Sequence, residues 1–301
     1  GDDMVVKFQY APNDQGLTVR RTANLAFYDG CIESYTGLGG KYLLETEGYE
    51  LLYDSAANKI KGVKARNADG TEYEIHARAV ILATGGFGSN PELMEEYLPL
   101  FADGVIATNA GATGDGILMT RQFVTKIVGD GSMGSIVAPD GSDLIAANFL
   151  VNLNGERFVG EGEPKYVLQR AVSQQPEKAA FLIADANYAD MDTINQKIEK
   201  GYVKQYDTIE ALAEDNGIDA EQLQKTIDAY NQAADAGEAI PALEYELAAA
   251  KATKVETAPF YIEKVTLRTF GTIPGIEVND NCQVLDGEGQ VVEGLYASGE
   301  L

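Results

Sequence analysis

The chain has 301 residues, of which 45% are apolar, and this length is enough to bury two packed cores. Its formal net charge of -24 makes a surface that repels phosphate backbones, so no nucleic-acid partner is expected. No apolar run reaches the roughly 18 residues that a membrane span requires, and one histidine with two distant cysteines gives no spacing typical of a metal site.

The first 22 residues show no clear pattern, and a weak apolar stripe predicts a helix over residues 23–38. Alternating apolar and polar residues then predict three strands, the last two of which are joined by a turn at residues 67–70. We expect these strands to form an antiparallel meander. His76 falls on the polar face of the third strand, which favours a solvated histidine over a catalytic one.

The stretch "AVILATGGFGSNPEL" changes the character of the chain. Residues 79–83 form a continuous apolar run, which predicts a parallel strand buried on both faces. Three glycines follow within residues 85–88, and then Ser89 or Asn90 is placed to cap a helix that begins at Pro91. A strand, a glycine turn and a helix N-terminus together are typical of a dinucleotide or anion site, with a plain tight turn as the alternative.

A second glycine cluster occurs in "ATNAGATGDGILMT", where Gly114 and Gly116 flank Asp115. A buried acid in such a turn suits a ligand hydroxyl or a ring N–H, and a surface turn is the alternative. The glycines of "GDGSMG" at residues 129–134 have the spacing of a Rossmann fingerprint. The residues that follow them have no helical period, so we reject that assignment.

The second half of the chain shows a mixed pattern of strands and helices. A hairpin is predicted around Asn154-Gly155, a buried strand in "AAFLIADANYA", and a last hairpin in "CQVLDGEGQVV" leading to the terminal strand "GLYASG". Two helices are predicted at Thr208–Asp215 and Ala220–Ala236, the second with Asp219 as N-cap and Gly237 as its end.

Five phrases in this order resemble the flavin-containing fumarate reductase and flavocytochrome c family, which includes urocanate reductases and ketosteroid dehydrogenases. They are "AVILATGGFGSNPEL", "GATGDGILM", "LVNLNGERFVGE", the helical pair up to Asn231, and "VVEGLYASGE". The resemblance implies an α/β plus α+β fold: a partial FAD-binding, Rossmann-like domain with a β-meander and an inserted α+β cap domain. Residues 1–130 and 265–301 would form the FAD domain, and residues 131–264 the cap over the substrate.

The cofactor that the resemblance implies is FAD, and the residues implied to contact it lie in the matched phrases. They are Thr84, Gly85 and Gly86 at the diphosphate and ribose, Thr113, Gly114 and Asp115 at the isoalloxazine and ribitol, and Glu300 at the ribitol.

The catalytic positions depart from the family's pattern, in which two histidines and an arginine hold a dicarboxylate and a second arginine donates a proton. At the matched donor position stand Lys165 and Tyr166, and a lysine delivers a proton when its pKa is lowered; a solvated cap lysine is the alternative. In "TLRTFGTIPG", Arg268 is a candidate substrate anchor or a surface ion-pair partner. That segment carries a histidine in the family, and the family's other histidine has no counterpart here. The implied substrate is therefore an unsaturated acid or enone that need not be fumarate, and a steroid-like or aromatic enoate is equally open.

The family's N-terminal glycine fingerprint and its segments beyond the Gly-Glu phrase are not found in this sequence. The expectation is a piece excised from a longer flavoprotein that reduces an activated C=C bond. The piece itself is expected to be inactive and to bind FAD weakly or not at all. The electron donor is unknown, with a haem or FMN domain of the parent as candidates, and bacterial cytoplasm and cell envelope both stay open. A non-enzymatic remnant that binds a partner through its cap and a nicotinamide-only dehydrogenase are the alternatives.

Overall fold

The computed structural model describes residues 16–145, 149–236 and 254–301, with side chains from residue 27 onward. The helices in these ranges are α1 (Gly16–Gly37), α2 (Pro91–Tyr97), α3 (Asp115–Thr120), α4 (Lys165–Ser173), α5 (Met191–Glu199), α6 (Ile209–Asn216) and α7 (Ala220–Ala236). The strands are β1 (Thr46–Asp54), β2 (Lys59–Asn67), β3 (Glu72–His76), β4 (Val80–Leu82), β5 (Val105–Ile106), β6 (Ile127–Val128), β7 (Ser132–Val137), β8 (Leu150–Asn152), β9 (Ala180–Ala184), β10 (Val203–Tyr206), β11 (Phe260–Thr272), β12 (Gly275–Ile276), β13 (Gln283–Leu285) and β14 (Val291–Ala297). None of the helices in these ranges combines the length and the apolar character that crossing a membrane requires.

The described residues fall into two compact units, residues 16–48 with 65–73 and residues 49–64 with 74–301. In the first unit, α1 starts earlier than the predicted residue 23 and ends one residue before the predicted limit. All the candidate site residues belong to the second unit.

The predicted meander is confirmed by strand pairing in the first sheet, where β2 lies between β1 and β3. The Asn67 N–H donates to the Thr71 carbonyl at 2.9 Å and the Ala77 N–H to the Lys61 carbonyl at 2.8 Å, which is the antiparallel pattern. The His76 side chain is 70% exposed, as expected of a solvated residue.

β4 is a parallel strand as predicted, and its partner is β14, the last strand of the chain. The register pairs Leu295 with Val80 and Ala297 with Leu82. Leu82 and Leu295 are buried, but Ile81 is 68% exposed. The prediction of burial on both faces is therefore wrong, because one face of β4 is open to solvent in the described part of the chain.

The second sheet is built around β11, which changes its partners midway along its length. Up to Val265 it pairs antiparallel with β9 and β10, and from Thr266 onward it pairs antiparallel with β7 and, at two positions, parallel with β5. Residues 129–131 lead directly into β7, which begins at Ser132, so the rejection of a Rossmann helix there is confirmed.

β9 is buried at every position because both faces of its sheet are covered. Phe181 and Ile183 pack with the apolar residues of α6 and α7, whereas Leu182 belongs to the main core. This is the physical reason for the continuous apolar run in its sequence.

The predicted pair of helices corresponds to α6 and α7. Their N-caps are Thr208, which accepts from the Ala211 N–H at 3.1 Å, and Asp219, which accepts from the Gln222 N–H at 2.9 Å. Gly237, the predicted end of α7, lies outside the described residues.

The helices α4 and α5 were not predicted. The sequence patterns missed α4 because it begins directly after Pro164 without a side-chain cap. They missed α5 because its buried positions include a lysine, Lys197, whose charge hides the apolar period.

Candidate functional site

The glycine turn after β4 is shaped by a close approach of three chain segments. Gly85 has a φ of 79°, which favours glycine. Gly86 is buried, and a side-chain carbon there would run into the Glu300 carboxylate and the Thr272 hydroxyl. Only a glycine at position 86 therefore allows the turn to lie against Glu300.

The turn continues into α2, whose N-cap is Asn90. Its Oδ1 accepts from the Glu92 and Leu93 N–H groups at 3.1 and 3.2 Å, and its Nδ2 donates to the Thr113 carbonyl at 3.0 Å. Ser89, the other candidate cap, instead bonds to residues of the following loop. Asn90 thus starts the helix and also ties the first glycine cluster to the second.

Replacing Asn90 with alanine should lower the free energy of unfolding by about 1 kcal/mol or more, because the helix loses its cap and Thr113 loses a donor. Urea denaturation measures this change. Asn90→Ser is the matched control, since its hydroxyl oxygen can cap the helix while the bond to Thr113 is lost. Equal destabilisation by both variants would contradict the capping role.

The second glycine cluster packs directly on the first. The Gly114 N–H donates to the Gly86 carbonyl and the Gly116 N–H to the Thr84 hydroxyl, each at 3.1 Å. Gly114 has a φ of 77° and begins α3. The Thr113 hydroxyl donates to Asp115 Oδ1 at 2.7 Å. Asp115 is half-buried, which corrects the prediction of a buried acid: the turn opens on one side.

Glu300 follows β14 and reaches the same edge of the sheet, because β4 and β14 are parallel neighbours. Its Oε1 accepts from the Thr272 N–H at 2.8 Å and from the Thr272 hydroxyl at 3.2 Å. The structure therefore brings together the seven residues that the resemblance linked to FAD. Thr272 was missed, although it lies four residues after Arg268 in the phrase already singled out.

The space around these seven residues suits a flavin nucleotide. Gly85 and Gly299 end the two adjacent strands with φ values of 79° and 93°, and a side-chain carbon at either would meet no atom within 4 Å. Open space therefore lies over the glycine backbone at the carboxyl edge, rimmed by the Glu300 and Asp115 carboxylates. Backbone N–H groups suit phosphate oxygens and carboxylates suit ribose or ribitol hydroxyls, so the residues fit the group.

Arg268 lies on the half of β11 that pairs with β7. Its guanidinium donates to the Ser135 hydroxyl at 3.3 Å and to the Gly141 carbonyl at 3.2 Å, and it stacks over Phe270 at 4.5 Å. Among the described residues it forms no ion pair with a carboxylate. In the adjacent loop, hydrogen bonds from the side chain and backbone of Ser142 lower the pKa of Asp140.

Lys165 and Tyr166 form the start of α4, and both side chains are exposed. The structure does not join either of them to Arg268. One turn later, Gln169 is buried and its Nε2 donates to the Ser132 hydroxyl at 3.2 Å and to the Arg268 carbonyl at 3.0 Å. α4 and the Arg268 strand are therefore tied through Gln169, which the sequence patterns did not indicate.

β7 lies between the Arg268 and Glu300 side chains on one face and the helix α4, which begins at Lys165, on the other. Its residues Ser132 and Gly134 face Gln169, whereas Ser135 contacts Arg268 and Met133 lies against Gly271 beside Glu300. Alternate strand residues point to opposite faces, so Arg268 and Glu300 lie on one face and the body of α4 on the other.

In the described part of the chain, no cluster of three metal-ligand side chains is present.

Residues 26–301 match the protein family described as FAD binding domain. The chain is 32% identical over 310 residues to the NADH:acrylate oxidoreductase of Vibrio harveyi, covering 94% of this chain and 29% of that protein. It is 31% identical over 283 residues to the urocanate reductase of Eggerthella lenta, covering 86% and 45%. A solved open conformation of a flavocytochrome c3 fumarate reductase matches 90% of this chain and 49% of its own, with 26% identity and a TM-score of 0.57.

The chain spans less than half the length of each of these relatives. The family match nevertheless covers both glycine clusters, Arg268 and Glu300. The chain belongs to the FAD binding domain family, and the relationship to fumarate reductases and flavocytochromes c that its phrases predicted is confirmed.

Proposed function

We propose that this chain is part of an oxidoreductase that uses FAD to reduce an activated C=C bond of an unsaturated acid or enone. The observation that carries the proposal is the meeting of both glycine clusters with Glu300 at the shared edge of β4 and β14. The names of two relatives, an NADH:acrylate oxidoreductase and a urocanate reductase, support it because acrylate and urocanate are both unsaturated acids.

The residues that would hold FAD are those of the site already described. The backbone at Gly85 and Gly86 would lie against the diphosphate, while Thr113, Asp115 and Glu300 would bind hydroxyls of the ribose and ribitol. When bound, FAD supplies a hydride equivalent to the substrate carbon. The protein's own part is to bind the acid, orient its double bond, exclude water and deliver one proton.

Arg268 is our candidate for binding the substrate carboxylate. It is half-buried, held by two neutral oxygens rather than by an acid, and lies on the same face as Glu300. A guanidinium with unfilled donors binds a carboxylate in bidentate fashion, which orients the attached double bond. Lys165 or Tyr166 is our candidate proton donor, and bringing either to Arg268 requires α4 to move or the substrate to extend between them.

For the proposed division into residues 1–130, a cap at 131–264 and residues 265–301, β11 supports the second limit, whereas β7, inside the proposed cap, pairs with the part of β11 beyond that limit. The change of partners along β11 between Val265 and Thr266 lies one residue from the proposed cap limit. We also propose that the 301-residue chain alone is inactive, because it spans 29% and 45% of its two curated relatives. The electron donor, whether haem, FMN or another group, is left unassigned.

The test is to purify the longest protein that contains this chain and measure bound flavin and turnover. We expect about one FAD per chain and oxidation of reduced methyl viologen on addition of acrylate. Absence of flavin from that protein, or flavin without reduction of any enoate, would overturn the proposal. The 301-residue chain purified with stoichiometric flavin and activity would overturn the proposal that it is inactive alone.

In the same assay, Arg268→Gln should reduce kcat/KM for acrylate by about 10- to 1,000-fold while leaving the flavin content unchanged. The reason is that the glutamine amide ends near the position of the Arg268 Nε, which keeps the bond to Ser135 within reach, and removes the charge that binds the carboxylate. Arg121→Gln is the matched control, because Arg121 is an exposed arginine paired with Glu96. An Arg268→Gln enzyme with unaltered kcat/KM would remove Arg268 from the substrate site.

A further inference from the structure

β11 carries an irregularity in its pairing with β7. Thr269 pairs with Gly134, and Gly271 pairs with Met133, the preceding residue of β7. In this register Phe270 is the extra residue of a β-bulge, since two residues of β11 lie opposite one residue of β7. Bulges bend a strand and re-aim its side chains, and they are over-represented next to active sites.

The bulge brings Gly271 to the face of β11 that carries Arg268. Thr269 is buried on the other face, towards α4. In a regular strand Gly271 would share the face of Thr269, because side chains alternate. A side-chain carbon at Gly271 instead would lie 3.0 Å from both Glu300 carboxylate oxygens. Phe270 therefore lies along β11 between the arginine and the position where Glu300 reaches the strand.

The Phe270 ring stacks on the guanidinium of Arg268. The Arg268 Cζ lies 4.5 Å from the centroid of the ring, which is within the distance of a cation–π interaction. The Phe270 side chain is 47% exposed, so burial in a hydrophobic core does not account for its position. Its contribution is therefore to the Arg268 site more than to the packing of the sheet.

The stacking restricts how Arg268 can bind a carboxylate. A guanidinium has five N–H groups in one plane. The Nε group donates to Ser135 and one Nη1 group donates to the Gly141 carbonyl, so three N–H groups have no acceptor among the described residues. Because the ring covers one face of the guanidinium, a carboxylate is bound best in the plane, by the N–H groups that remain on Nη1 and Nη2.

We propose that Phe270 is a positioning residue of the substrate site. Its ring fixes the plane of the Arg268 guanidinium and thereby the direction from which the substrate carboxylate is bound. An aromatic side chain suits this task, because its two χ angles leave little conformational entropy to lose. The proposal rests on the proposed function and adds to it a residue that acts through Arg268.

The experiment is a double-mutant cycle on the longest protein that contains this chain, with acrylate as substrate and reduced methyl viologen as donor. Phe270→Leu removes the ring and keeps an apolar side chain, so it should lower kcat/KM about 3- to 30-fold and leave the flavin content unchanged. In the Arg268→Gln background the same change should lower kcat/KM less than about twofold, because the ring then has no cation to hold. Phe270→Tyr keeps the ring and should keep kcat/KM within about twofold of the parent value.

An equal loss from Phe270→Leu in both backgrounds would show that the ring does not act through Arg268 and would overturn the proposal. A Phe270→Leu enzyme with unaltered kcat/KM, or a Phe270→Tyr enzyme as impaired as Phe270→Leu, would also overturn it. An Arg268→Gln enzyme with the parent's kcat/KM would overturn it as well and leave FAD-dependent reduction standing. A protein without flavin, or one that reduces no enoate, would overturn the proposed function and this proposal with it.

Discussion

Gly86→Ala should lower the free energy of unfolding by about 1–3 kcal/mol and weaken FAD binding at least about tenfold. The new methyl group would enter the space occupied by the Glu300 carboxylate and the Thr272 hydroxyl. Relief of that overlap moves Glu300 away from the Thr272 N–H, which it contacts at 2.8 Å. The carboxylate is then displaced from the edge where the flavin ribitol is proposed to bind.

Urea denaturation measures the stability, and flavin released on unfolding the longest protein measures the occupancy. Gly162→Ala is the matched control, because a side-chain carbon at Gly162 meets no atom within 4 Å. The double variant Gly86→Ala with Glu300→Ala should be less destabilised than the sum of its parts, since the second change removes the obstruction. Additive losses of unfolding free energy would show that the Glu300 side chain does not obstruct a larger residue at position 86.

Lys197→Met should cost about 3–5 kcal/mol of unfolding free energy, because it leaves a buried carboxylate without its cation. The Lys197 Nζ lies 2.6 Å from Glu263 Oε1, and the two side chains are 10% and 0% exposed. The other carboxylate oxygen accepts from the Ile145 N–H at 2.7 Å. The pair thus ties α5 and the loop at Ile145 to the middle of β11.

Thermal and urea unfolding measure this loss. Lys225→Met is the control, because the Lys225–Glu221 pair is largely exposed and such pairs contribute about 0.5 kcal/mol or less. Adding Glu263→Gln to Lys197→Met should recover part of the stability, since glutamine keeps an acceptor for Ile145 without the charge. A Lys197→Met protein as stable as the Lys225→Met protein would contradict the account.

Part of the candidate site is encoded by residues close together in the chain, and the sequence predicted that part. The cap at Asn90 and the start of α2 at Pro91 depend on groups within three residues of each other. The two glycine clusters also predict turns locally, because glycine adopts the positive φ angles that tight turns require. The phrases that contain them also led to the family, which the FAD binding domain match confirms.

Other features depend on contacts between distant residues, and no local pattern reveals those. Thr272 meets Glu300 across 28 positions, and Lys197 meets Glu263 across 66. The exposure of Ile81 was mispredicted because burial depends on what covers a strand, which its own apolar run does not record.

The sequence by itself therefore determined the family, the glycine turns, the hairpins and the strongly periodic helices, because each depends on residues that lie close together in the chain. Only the tertiary structure decided that Arg268 shares a face of β7 with Glu300 and that α4 lies on the other. It alone placed Met133 against Gly271 beside Glu300. The physical reason is that parallel pairing of β4 with β14 and antiparallel pairing of β7 with β11 bring together residues more than a hundred positions apart.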